Sequence, residues 1–275
     1  MDFDGSITAR REDGPQPIAF RQMCPCPDGQ EARERTNQEV ALLQADADAR
    51  RVARIMGEAR IPPIYLGPTV EAWRHAAIRH GADEAEVDAI EAAVEEWYDL
   101  SDDGWQPGLV DADGEPVPPP QRTLLLAGQY GAGKTGLAAA LAQRFLARHQ
   151  TVVFRTVSEM YAELRAAPWC SSEDSQPTEL AVIQALRDCQ LLVLDDWGGE
   201  AITQANEQKL IELINLVIDD RLKNLKPTIY TTNLTGKVLT ERVGERIMAR
   251  VKPDSVSIKV VLKTPDLRGE PHGKA

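Results

Sequence analysis

The sequence predicts an α/β protein in which a parallel sheet carries helices on both faces and a smaller helical region precedes it. Two observations carry that expectation. Beyond residue 121, short apolar runs near Leu124 and at Thr151–Phe154, Leu191–Leu194 and Thr228–Thr231 alternate with helical patterns, as parallel strands joined by crossover helices require. Between the first strand and its helix lies GQYGAGKT, Gly128 to Thr135, which fits the phosphate-loop pattern G-x-x-x-x-G-K-[ST].

Taken in order, the first thirty residues are rich in Pro, Gly and charge and are expected to lack stable structure. From Glu31 to Arg60 the pattern is helical. Arg60-Ile-Pro-Pro-Ile64 ends it, because proline removes an amide donor and restricts the residue before it. A second helical region runs from Thr69 to about Tyr98 with a break near Gly81, so 31–100 reads as a helical, partner-binding region. Ser101 to Gln121 mixes Asp, Gly and Pro and reads as an acidic, Pro-rich linker, leaving 122–275 as the main domain. A helix is expected from Gln204 to Leu222.

Composition narrows the class. The chain has 275 residues and a formal charge of −12, which works against non-specific attraction to nucleic acid over the whole surface. Any DNA contact must come from a local basic patch, for which Arg155 and Arg165 are candidates. No apolar run is long enough to span a membrane, and Met1-Asp-Phe-Asp lacks a targeting pattern, so the expected location is the cytoplasm. The 4 cysteines make no disulfide framework, and Cys24-Pro-Cys26 has no second close pair to complete a zinc site.

The phosphate loop defines the chemistry. Gly128, Gly131 and Gly133 let backbone amides approach phosphate oxygens, which a side chain would prevent. Lys134 is expected to reach the outer phosphates of ATP, and the Thr135 hydroxyl to be a ligand of Mg²⁺. Gln190-Leu-Leu-Val-Leu-Asp-Asp196 then places two carboxylates at the ligand-binding edge of a parallel sheet. Asp195 is expected in the magnesium shell opposite Thr135, and Asp196 to polarise the attacking water. A further strand ends in Asn233, which can hydrogen-bond that water and the γ-phosphate if the strand lies beside Asp195. Finally, Arg246 and Arg250 lie four residues apart on one helical face, where one of them can serve a neighbouring subunit as an arginine finger.

These segments together resemble the AAA+ ATPases of the DnaC/IstB type, the helicase-loader and transposition-helper branch. GQYGAGKTGLAAA is similar to the first motif of that family, LLVLDDWGGE to the second and PTIYTTNL to its sensor strand. The resemblance covers about Gln121 to Arg268, with a weaker echo in RIPPIYLGPTVEAW, Arg60 to Trp73. It implies a P-loop NTPase of the AAA+ (ASCE) class with no full C-terminal lid domain, Arg250 as the finger, and Arg268 as the arginine that senses nucleotide within its own subunit. It also implies ATPase activity dependent on self-association through the ATP site. Three functions follow as expectations: loading a replicative helicase onto single-stranded DNA, assisting a transposase on duplex DNA, or acting as a nucleotide-gated adaptor.

Overall fold

The structure is a computed structural model that describes residues 59–101, 122–166, 179–198, 207–251 and 257–269, with the isolated positions 110, 113 and 115. The expected flexible terminus, nearly all of the helical stretch to Arg60, most of the acidic linker, and Cys24, Cys26 and Cys170 lie outside the described residues.

A 3₁₀ turn, Pro63–Tyr65, opens the described chain after Arg60, whose φ of 54° ends the preceding helical residue. Helix α1, Val70–Arg79, starts where the Thr69 hydroxyl accepts the Ala72 amide at 3.1 Å, a side-chain cap of a kind worth about 1 kcal/mol. Gly81, at φ 91°, provides the expected break. Helix α2, Glu84–Leu100, begins at the Asp83 carboxylate, which accepts the Glu86 amide at 3.0 Å.

Five parallel strands follow: β1 Thr123–Gly128, β2 Val152–Thr156, β3 Leu191–Asp195, β4 Thr228–Thr232 and β5 Ser257–Leu262, ordered β2-β3-β4-β1-β5. The helices between them are α3 Lys134–Ala147, α4 Val157–Ala166, α5 Glu179–Asp188, α6 Glu207–Lys223, α7 Gly236–Val243 and α8 Glu245–Val251. The edge strand β5 is absent from the expected strand list. Its short run Ser-Ile-Lys-Val-Val-Leu keeps Lys259 and Val261 exposed while Val260 and Leu262 are buried, so its apolar signal is half that of a central strand.

Alternation along the strands sends side chains into two cores. Leu124, Leu126, Leu191, Val193 and Ile229 pack with α1, α2 and α3 on one face, whereas Leu125, Leu192, Leu194 and Tyr230 pack with α4 to α8 on the other. The first core contains Trp97 and Tyr98 against Phe145, with centroids 6.2 and 5.5 Å apart. Aromatic pairs of this kind add about 0.5–1.5 kcal/mol beyond their burial. The helices before residue 101 thus share a core with the helix that follows the phosphate loop.

Two arginines hold the frame. Arg221 is 1 % exposed and donates to the carbonyls of Leu186, Cys189 and Pro227 and to the Thr228 hydroxyl, joining the N-terminal ends of β3 and β4. Arg155, a candidate DNA contact by sequence, points inward instead. It is buried, pairs with Glu163 at 3.0 Å and donates to the Ala59 carbonyl at 3.2 Å. Arg165 donates back to the Tyr161 carbonyl of its own helix. The acidic surface of α2 is also partly used internally: Arg74 pairs with Glu84, Asp88 and Glu91, Arg144 with Glu95, and Lys263 with Glu86.

Candidate functional site

The phosphate loop forms because glycines occupy the positions that side chains cannot. Gly131 and Gly133 have φ of 80° and 84°, and α3 starts directly from Gly133. A Cβ on Gly131 would lie 2.0 Å from the Asp266 carboxylate, and one on Gly133 would lie 2.5 Å from the Trp73 indole nitrogen. Neighbouring groups brace the loop from two sides. Trp73 donates to the Ala132 carbonyl at 3.4 Å, the Thr264 hydroxyl donates to the same oxygen at 2.9 Å, and the Leu267 amide donates to the Gly131 carbonyl at 2.9 Å.

Lys134 is buried and donates from Nζ to the Gly128 and Gln129 carbonyls at 2.9 and 2.8 Å. Burial lowers its pKa, Asp195 and Asp196 act in the opposite direction, and Arg268 adds to the lowering. Thr135, one residue on, donates to both Asp195 oxygens at 3.0 and 3.2 Å. Asp195 also accepts the Thr231 hydroxyl at 2.6 Å. Its pKa is raised by burial, against the hydrogen bonds from Thr231 and Thr135. A buried carboxylate beside a threonine hydroxyl is a hard-oxygen pair of the kind that suits Mg²⁺, which keeps most of its waters and takes few protein ligands.

The adjacent Asp196 adopts a left-handed φ of 55°, a conformation Asp tolerates better than most residues. Its amide donates to the Thr231 hydroxyl at 3.0 Å, and its carboxylate accepts the Asn233 amide at 2.7 Å. Because β3 and β4 are neighbours with Leu194 opposite Tyr230, the two strand ends meet as the sequence reading required. Thr231 was not singled out by sequence, although it precedes Asn233 by two and therefore shares its side of the strand.

All these groups open into one cavity of about 600 Å³. Gly131, Gly133, Lys134, Thr135, Asp195, Asp196, Asn233 and Arg268 line its polar side, while Tyr65, Pro68, Ala72, Trp73 and Ala76 form an apolar wall. Apart from Ala76, that wall lies in the segment Arg60–Trp73, which the sequence marks only as a helix end and a weaker echo of the family, with no role at the site. Gly128 precedes the lining and packs instead against the Leu262 backbone. Arg268 stands at the mouth and is held by Asp266 at 2.7 and 2.9 Å, an exposed pair that keeps the Asp266 pKa near about 2.

Arg250 lies elsewhere. On α8 it pairs with Asp219 of α6 and donates to the Arg246 carbonyl at 2.7 Å, and it does not line the cavity of its own chain.

Comparison with known proteins agrees with this geometry. The profile of the family "IstB-like ATP binding protein" matches residues 120–255. The replicative helicase loader DnaC of Escherichia coli K12 is 28% identical over 152 residues, 55% of this chain and 58% of that protein, so the chain matches little more than half the length of this relative. DnaC of Buchnera aphidicola subsp. Schizaphis graminum is 22% identical over 221 residues, covering 78% of both chains. Among solved structures, that of the DnaC helicase loader superposes with a TM-score of 0.52 at 18% identity, covering 73% of this chain and 99% of the other, a likeness of fold. Residues 120–255 are therefore similar to the IstB-like ATP-binding family, on a fold like that of the solved DnaC helicase loader.

Proposed function

We propose that this protein binds ATP with Mg²⁺ in the 600 Å³ cavity, hydrolyses it in an assembly of like subunits, and uses that cycle to load a replicative helicase onto single-stranded DNA. The observation that supports hydrolysis most strongly is the junction of Asp195, Asp196, Thr135, Thr231 and Asn233 at the two strand ends. The similarity to proteins named helicase loaders supports the client.

The apolar wall from Tyr65 to Ala76 takes the adenine, and the amides at the start of α3 take the phosphates. Lys134 leaves its two carbonyls for the outer phosphates, a short movement for a flexible side chain already beside the loop. Thr135 and Asp195 would hold Mg²⁺, which would supply neutralisation of the charge developing on the phosphate oxygens. Asp196, oriented by Asn233, accepts the proton of the attacking water and aligns it with the terminal phosphate. Arg268, released from Asp266, reads the nucleotide from its own chain. Arg250, remote from its own cavity, acts on a neighbour's.

Native mass spectrometry of the protein with the host's replicative helicase, with and without ATP and a single-stranded oligonucleotide, tests the client directly. A defined complex is expected, and no complex under any of these conditions counts against the loader. The second reading, an ATPase that assists a transposase, is favoured by the IstB-like profile match. ATP-dependent assembly on duplex DNA without helicase binding would select it. The Asp196→Asn variant should keep ATP binding and lose turnover by at least about 10²-fold, the lower range for general acid–base catalysis; unaltered turnover would remove that role.

A further inference from the structure

The apolar wall of the nucleotide cavity begins in a turn whose shape depends on one side chain of α3. After the 3₁₀ turn Pro63–Tyr65, the chain passes through Gly67, at a left-handed φ of 104°, to Thr69, the cap of α1. A connection with glycine at its centre has little intrinsic preference for one conformation. Its start is held locally: the Tyr65 and Leu66 amides donate to the Pro62 and Pro63 carbonyls at 2.9 and 3.1 Å. Three further polar groups of the turn, the Gly67 amide and the Tyr65 and Pro68 carbonyls, all converge on Gln143.

Gln143 answers all three. Its Oε1 accepts the Gly67 amide at 2.7 Å, and its Nε2 donates to the Tyr65 carbonyl at 3.0 Å and to the Pro68 carbonyl at 3.3 Å. The same nitrogen reaches the Ala139 carbonyl of its own helix at 3.2 Å, which steadies the side chain against α3. A side-chain amide can both accept and donate in this way. A carboxylate would accept from Gly67 but repel the carbonyls, and an ammonium would leave the Gly67 amide without an acceptor. Gln143 also shares one face of α3 with Gly136, about two turns nearer the phosphate loop. Tyr65 spans that interval, with its carbonyl on Gln143 and its ring near Gly136, where a Cβ would stand 3.9 Å from Cδ1.

We propose that Gln143 is a positioning residue for the base of the bound nucleotide: by holding Tyr65 and Pro68 to α3, it sets the apolar wall at a fixed distance from the phosphate loop. Loop and wall are then attached to the same helix, the loop through the chain itself at Gly133 and the wall through the Gln143 side chain. Gln143 does not line the cavity, so it acts through the wall and not on the ligand. A wall fixed before binding spares the base the cost of ordering the turn. The phosphates gain nothing from it, because the backbone amides and Lys134 that receive them are braced separately, by Trp73, Thr264 and Leu267. The inference rests on the reading that the apolar wall takes the adenine, and it names the residue that places that wall.

Titration calorimetry on the full chain, with a non-hydrolysable ATP analogue and with inorganic tripolyphosphate, each with Mg²⁺, separates the base from the phosphates. For Gln143→Glu the analogue should bind about tenfold more weakly or worse, the equivalent of one well-made hydrogen bond. Tripolyphosphate should bind within about twofold of wild type, a split that general damage to the domain would not produce. Gln143→Met, which keeps the length of the stem without donor or acceptor, should show the same split and serves should Gln143→Glu fail to fold. A double-mutant cycle with Tyr65→Ala tests the route of action: once the ring is gone, Gln143→Glu should weaken the analogue by less than it does alone. Equal weakening of the two ligands, unchanged binding of the analogue, or losses that multiply fully in the double variant would each overturn the proposal. A wild type that binds tripolyphosphate as tightly as the analogue would contradict the wall as a base site, a failure distinct from that of Gln143.

Discussion

Two buried cations stand at opposite edges of the same sheet, and their surroundings differ in kind. Arg221, at the N-terminal ends of β3 and β4, has six acceptor residues around a close-packed guanidinium. Lys134, at the C-terminal end of β1, has two loop carbonyls and faces an open cavity containing Asp195 and Asp196. One cation is fully satisfied by the fold. The other is desolvated and only partly satisfied, which is the condition expected of a group whose true partner is a ligand.

That difference predicts which substitutions affect stability and which affect function. The largest stability loss should come from Arg221→Met, which removes the donor from five carbonyls and a hydroxyl. At about 1–3 kcal/mol for each unsatisfied group, the total should exceed about 3 kcal/mol. Chemical denaturation would measure it, and a loss under about 1 kcal/mol would mean that Arg221 does not clamp the strands.

Lys134→Ala should show the opposite profile. Nucleotide affinity should fall at least about 10²-fold, equivalent to about 2.7 kcal/mol, while stability without ligand changes by less than about 1 kcal/mol. Titration calorimetry and thermal melts on one preparation separate the two quantities. A variant that binds ATP normally would place the phosphate site elsewhere.

Asp195→Asn should give a smaller change of mixed sign. Burial raises the folded-state pKa of Asp195 above its unfolded value, so ionisation costs stability above that folded pKa, and the cost disappears as pH falls towards the unfolded value. Without nucleotide the Asn variant should melt a few degrees higher at neutral pH, about 2–4 °C for each kcal/mol in a domain of this size. With magnesium and ATP the order should reverse. A variant that melts lower in both conditions would mean that its hydrogen bonds to Thr135 and Thr231 outweigh desolvation.

The smallest effect belongs to the exposed Asp266–Arg268 pair. Hydrogen bonds from Arg268 depress the Asp266 pKa to about 2, so its contribution is complete above the unfolded value near 3.8 and is lost as pH falls towards 2. Carboxyl NMR should show one group titrating near that lower limit, and Arg268→Ala should return it to the ordinary range.

The same contrast explains what could be read from the chain alone. The loop, the acidic pair and Asn233 are contiguous in sequence with the strands that hold them, so their pattern carried both the fold and the site. Arg155 was misread because a strand-end arginine looks the same whether it faces solvent or turns inward to Glu163 and the Ala59 carbonyl. The apolar wall and the bracing of the loop were hidden for a related reason. Trp73 and Asp266 are far from the loop in sequence, and only packing brings them to Gly133 and Gly131. Edge strand β5 lacked the continuous apolar run that marked the buried strands.

The central claim is that one chain supplies the cavity and another the arginine. Steady-state ATP turnover of Arg250→Ala mixed with Lys134→Ala, over a range of ratios, tests it most directly. Each variant alone should be nearly inactive. The mixture should recover part of the wild-type rate, because Lys134→Ala subunits still offer Arg250 to intact cavities. Full activity of Arg250→Ala alone, or no recovery at any ratio, would contradict the shared site.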